Sequence, residues 1–132
     1  MKTWILTIVA ALILLLPARA DEAARQVISD QIAAFLEDDF ETAFTYASPK
    51  IKQIFGGPER FGEMVQHGYP MVWRPADVKF LNAEQIGAGL RQGVLVRDAA
   101  GVFYELDYEM IAGQDGWKID GVRIRQLPEG NA

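Results

Sequence analysis

The chain reads as an α+β domain: N-terminal helices packed on a curved antiparallel sheet of about four strands. Three observations predict it. Between residues 22 and 68 apolar side chains recur three and four positions apart, the spacing of helices with one buried face. From Asp77 onward the spacing changes to alternation, the period of half-buried strands. Only short Gly- and Asp-containing turns separate those strands, so each can pair antiparallel with the next. Helices grouped ahead of strands give α+β rather than the alternating α/β order.

The first twenty residues stand apart. Lys2 supplies a positive start, Trp4 to Leu16 is almost entirely apolar, Pro17 breaks the run, and Ala18-Arg19-Ala20 leads into Asp21. This is the pattern of a secretory signal peptide, residues 1–20, cleaved after Ala20. The apolar run falls well short of the about 20 residues that span a bilayer. A soluble periplasmic or secreted protein is expected, with no stable membrane anchor after cleavage and a single domain at 21–132. The chain has no cysteine, which excludes disulfides and a cysteine-linked lipid anchor.

The first helix is expected over Glu22–Asp38, with Val27, Ile28, Ile32, Phe35 and Leu36 inward. Arg25, Gln26, Asp30, Gln31 and Glu37 fall on its wet side. Phe40, Ala43, Phe44 and Ala47 make a second short stripe. Ser48-Pro49 is an N-cap followed by proline at the first helical position. The helix that follows carries Ile51, Ile54 and Phe55 inward and stops at Gly56-Gly57. Pro58 opens a fourth helix with Phe61, Met64 and Val65 inward, and Gly68 is its expected cap after His67. Tyr69 to Pro75, with two prolines, reads as extended, and the Tyr69–Pro70 bond as a candidate cis peptide.

Four strands follow. Asp77–Glu84 places Val78, Phe80 and Asn82 on one face. After the Gly87-Ala88-Gly89 turn, Leu90–Arg97 sets Leu95 opposite to Val94 and Val96. Asp98-Ala99-Ala100-Gly101 is a hairpin loop. Val102–Ile111 turns Val102, Tyr104, Leu106, Tyr108 and Met110 toward the helices and Glu105, Asp107 and Glu109 away. Gly113 to Gly116 leads into Trp117–Arg125, where Gly121 marks a bulge. The tail beyond Leu127 is polar and reads as frayed.

Composition excludes several functions. Cleavage takes Lys2 and Arg19 from the 13 basic side chains, leaving 11 against 18 acidic ones, a formal charge of −7. So acidic a domain repels nucleic acid and anionic membranes, and neither is an expected partner. One histidine and no cysteine supply no zinc ligand set, and no metal or cofactor is expected. No nucleotide-binding glycine loop, nucleophile elbow or Ser–His–Asp order is present.

Six residues are candidates for ligand contact. His67 can act as a general acid–base at a pocket mouth; the alternative is a cation favoured by a helix C-terminus. Tyr69, Trp73 and Arg74 form the densest cluster. An arginine between prolines beside two aromatics can hold a carboxylate or phosphate bidentately. Alternatively the rings close the core and Arg74 pairs with a carboxylate of the chain. Tyr46 and Tyr104 complete the set, although with Tyr108 they read first as core rings with wet hydroxyls. The Glu105/Asp107/Glu109 stripe reads as a solvated face with Arg123, Arg125 or Lys118 across the strands, rather than as a buried base or a calcium site. Phe103, Ile111, Val94 and Val96 are placed on that same side, which leaves a homodimer through the sheet open.

The run ending in Ala47-Ser48-Pro49, the stretch Gly68-Tyr69-Pro70 through Arg74-Pro75, and the terminal Gly116-Trp117-Lys118-Ile119-Asp120-Gly121-Val122 belong together. From about Ala23 to Arg125 the pattern resembles a family of small exported Gram-negative proteins known only as a domain of unknown function. The element order also resembles the nuclear transport factor 2-like, cystatin-like superfamily. That resemblance implies a cone with a pocket, in which some members are isomerases, dehydratases or epoxide hydrolases and many only bind. It carries no catalytic residues to this chain. The function expected is a non-catalytic small-ligand-binding or accessory module with a conical pocket, taking a small apolar or anionic ligand. The alternative is a small pocket enzyme (isomerase, dehydratase or hydrolase) using His67 or a carboxylate.

Overall fold

A computed structural model describes residues 20–128, so the expected signal peptide up to residue 19 and the last four residues lie outside the described residues. Helix α1 covers residues 20–36. It is followed by α2 (Phe40–Thr45), α3 (Pro49–Phe55), α4 (Pro58–Gly68) and α5 (Pro70–Trp73). The strands are β1 (Asp77–Ile86), β2 (Gly89–Arg97), β3 (Phe103–Gly113) and β4 (Gly116–Gln126). They form one antiparallel meander in the order β1-β2-β3-β4. Among the described residues no helix is long and apolar enough to cross a membrane.

Helix α1 buries Ala24, Ile28, Ile32 and Phe35, one stripe at helical spacing. Leu36, expected inward, is exposed, because each residue turns about 100° from the last and Phe35 already faces the core. Asp38 adopts a positive φ of 55° just past the helix. Asp39 N–H donates to Ala34 O and Asp38 N–H to Phe35 O, the nested pair of a Schellman motif with aspartate in the usual glycine place. Helix α3 begins and ends as its residues predict. Ser48 Oγ accepts from Ile51 N–H at 3.2 Å, Pro49 takes the first helical position, and Gly56 turns left-handed at φ 77°.

Two expectations on the helical side are corrected. Gly68 is the last residue of α4 rather than its cap. Tyr69–Pro75 is not extended: Pro70 starts the short helix α5, and Arg74 N–H closes it on Pro70 O. Proline lacks only an N–H that a first turn leaves unused, so it opens a helix as readily as it breaks one. The residues before each proline, Tyr69 (ψ 53°) and Arg74 (ψ 63°), stay outside the helical region as the following ring demands. The Tyr69–Pro70 bond is trans.

The inner face of the sheet carries the core. Leu90, Val94, Val96, Leu106, Tyr108, Met110 and Ile119 are buried against the helices. Val94 stands opposite Leu106 and Val96 opposite Tyr104, and directly opposed residues share a face. Val94 and Val96 are therefore inside, not beside the acidic residues. Two bulges bend the sheet. An extra residue between Phe80 and Ala83 of β1 switches the phase, so Ala83 rather than Asn82 continues toward the core and Asn82 is exposed. In β4 the register jumps from Gly121 opposite Glu109 to Ile119 opposite Met110, the bulge expected at Gly121. Beside it the helical layer joins the sheet directly: Ser48 N–H donates to Ile119 O, and Ile119 N–H to Tyr46 O.

Candidate functional site

Between the helices and β4 lies a cavity of about 360 Å³. Its inner wall is Gln31 and Phe35 of α1, Phe61 and Val65 of α4, and Val72 of α5, all buried. Ile119, Gly121 and Val122 supply the sheet side, so the β4 bulge is part of the wall. Ile51, Ile54 and Phe55 of α3 form the rim. Ile54, expected inward, is 63% exposed there. Met64, Ala47 and Tyr69 complete the lining. Among the described residues no charged side chain lines the space; its polar side chains are Gln31 and Tyr69.

Gln31 was expected on the wet side of α1, yet it is buried, and its Nε2 donates to Ala43 O at 3.1 Å. Its spacing is the signal that sequence reading missed: three residues after Ile28 and four before Phe35, it shares their face. Arg25, also expected wet, is half-buried. Its Nε donates to Gln92 Oε1 at 3.2 Å, while Gln92 Nε2 donates to Leu81 O at the β1 bulge. These bonds tie α1 to β1 and β2. Tyr108 is wholly buried and its hydroxyl has no partner, so it is not a ring with a wet hydroxyl. Burial pushes its phenol well above the ordinary value of 10.0.

Of the six candidate ligand residues, the structure brings only Tyr69 to the cavity. His67 is exposed on α4, its Nδ1 at 2.8 Å from Glu63 O, away from the lining. Arg74 and Trp73 close on the end of α1. The guanidinium donates to Phe35 O at 2.5 Å and to Asp38 Oδ1 at 2.7 Å, and lies 4.2 Å from the centre of the Trp73 ring. Trp73 Nε1–H donates to the same Asp38 oxygen at 2.9 Å. That tryptophan bond first, and then Arg74, hold the Asp38 carboxyl below its ordinary 3.8. Arg74 thus pairs with an internal carboxylate and a helix-end carbonyl, the alternative that the sequence offered to an anion-binding role. Tyr46 and Tyr104 are half-buried and line nothing in the cavity.

The acidic stripe behaves as a paired outer face. Arg125 bridges Glu105 at 2.6 Å and Asp107 at 3.0 Å, and Arg123 meets Glu109 at 2.9 Å. Among the described residues no member of the stripe lines the cavity; Glu109 pairs across the ladder with Gly121 of its wall, and its carboxylate meets Arg123.

No curated protein matches the chain. Among solved structures it is similar to an NTF2-like protein of unknown function from Shewanella baltica OS155. The TM-score is 0.55 at 11% identity, over 85% of this chain and 97% of that one. At that identity the likeness shows the fold, NTF2-like, and nothing of function. Residues 17–132 match the family model described as a domain of unknown function, DUF4864, and the chain belongs to that family.

Proposed function

We propose that this protein is an exported, non-catalytic binding module that holds a small, mostly apolar ligand between its helices and β4. The observation that carries the reading is the cavity itself: about 360 Å³ bounded almost wholly by apolar side chains. Interiors normally pack to crystal-like density, and ligand pockets run from about 300 to 1,000 Å³ with a few placed polar groups. The enzyme reading uses His67 or a carboxylate, and among the described residues neither lines the cavity. Export rests on the N-terminal pattern, and the family match begins at residue 17, past the apolar run.

The test is native mass spectrometry of the protein recovered from its exporting cell, beside Ile51→Trp, which fills the rim. A chain beginning at Asp21 with an added small mass is expected in the wild type, and the added mass is lost in the variant. A bare protein, together with no thermal shift from alkyl or aromatic probes, would falsify the binding reading. An uncleaved N-terminus would sink the export reading.

A further inference from the structure

The polar wall of the cavity constrains what it holds. Gln31 is 3% exposed, and it borders the cavity. Its amide orientation follows from its partner: Nε2 donates to Ala43 O, and the reversed amide would set two oxygens against each other. Among the described residues Oε1 accepts no hydrogen bond. Nor is it sealed in the protein, because the buried side-chain atom without a partner is Tyr108 Oη. Gln31 borders the cavity, so the cavity is where a donor for this acceptor is sought.

Such an acceptor discriminates. A molecule presenting a donor satisfies it, whereas one presenting only carbon or another acceptor leaves it stranded. A carboxylate would bring a charge into a wall with no lysine, arginine or histidine among the described residues, against the negative end of the Gln31 carbonyl. The cation nearest to this role in sequence, Arg74, is held by Asp38 and Phe35 O. We infer that the cavity selects a neutral apolar molecule carrying a hydroxyl or N–H, which donates to Gln31 Oε1. The inference rests on the binding reading above and narrows it: the anionic ligand is set aside in favour of a neutral donor.

Three probes of matched size test it by calorimetry on the purified protein: n-nonanol, its isomer methyl octyl ether, and nonanoate above neutral pH. The alcohol is expected to bind about tenfold more tightly than the ether, the worth of one net hydrogen bond, and nonanoate more weakly than either. In Gln31→Met the alcohol's advantage disappears while the ether's affinity is unchanged. Equal binding of alcohol and ether, tightest binding of nonanoate, or an advantage that survives Gln31→Met overturns the inference but leaves the pocket reading standing. Failure of all three probes to bind overturns both. Should Gln31→Met not fold, NMR of the wild type decides: nonanol must shift the Gln31 side-chain amide signals and the ether must not, and any other pattern overturns the inference.

Discussion

Tyr108 and Gln31 show what a single polar atom can do in this core. The Tyr108 hydroxyl is buried without a partner, so the fold bears its desolvation with no hydrogen bond in return. Tyr108→Phe should be neutral or stabilising by about 1 kcal/mol in urea unfolding at neutral pH; a clear loss would mean that a bound water serves the hydroxyl. The pH dependence has a definite sign. The folded state holds this proton more tightly than the unfolded chain, whose phenol titrates near 10.0. Stability from this group is therefore complete below pH 10 and falls as pH rises beyond it. Tyr108→Phe should remove that part of the alkaline slope. Gln31 has the opposite character, its amide Nε2 paired with Ala43 O in a residue that borders the cavity. Both residues were visible in the sequence as positions on a face. Neither revealed its hydrogen-bonding state, because that depends on α2 and on strands far along the chain.

Elements meet here through small residues and caps. Gly62 lets α4 approach α2: a Cβ there would lie 2.7 Å from Phe40 Cγ. Cγ sits at the root of the ring, and the ring also packs on Phe35 at 6.3 Å, so it cannot swing clear. Gly62→Ala should lower stability by about 1–3 kcal/mol, the usual cost of overpacking, seen as a reduced melting temperature. Phe61, beside it, centres an aromatic cluster with Phe44 at 5.3 Å and with Phe35 and Phe55 at 5.9 Å, so the inner cavity wall and the helix packing share atoms. Helix α3 depends on Ser48, fully buried, with Oγ on Ile51 N–H. Ser48→Ala should cost about 1 kcal/mol and speed amide exchange in α3, which forms the rim. The α3 boundaries were legible because capping is local: Ser48, Pro49 and Gly56 act within one turn. Pro70 was not, because an X–Pro step permits both an extended strand and a helix start, and the contacts of Trp73 and Arg74 with Asp38 decide between them.

On the scale of the whole molecule, the sheet separates two surfaces. Its inner face builds the core and one side of the cavity; its outer face carries the Glu105–Arg125–Asp107 and Glu109–Arg123 pairs among Leu95, Phe103 and Ile111. With Val94 and Val96 inside, the apolar support for a sheet-to-sheet homodimer shrinks, and homodimer interfaces are depleted of charge at their centres. Sedimentation at micromolar concentration should show a monomer; a concentration-independent dimer would overturn this reading of the outer face. What the sequence by itself determined was carried by short-range order: helices before strands, the β3 alternation, the α3 caps and the Gly121 bulge. Tertiary structure alone decided which face of β2 is buried, where Arg74 spends its charge, and that Gln31 borders a cavity. The reason is physical. Periodicity and capping are properties of neighbouring residues, whereas register, ion pairing and cavities arise only when segments distant in the chain are brought to one place.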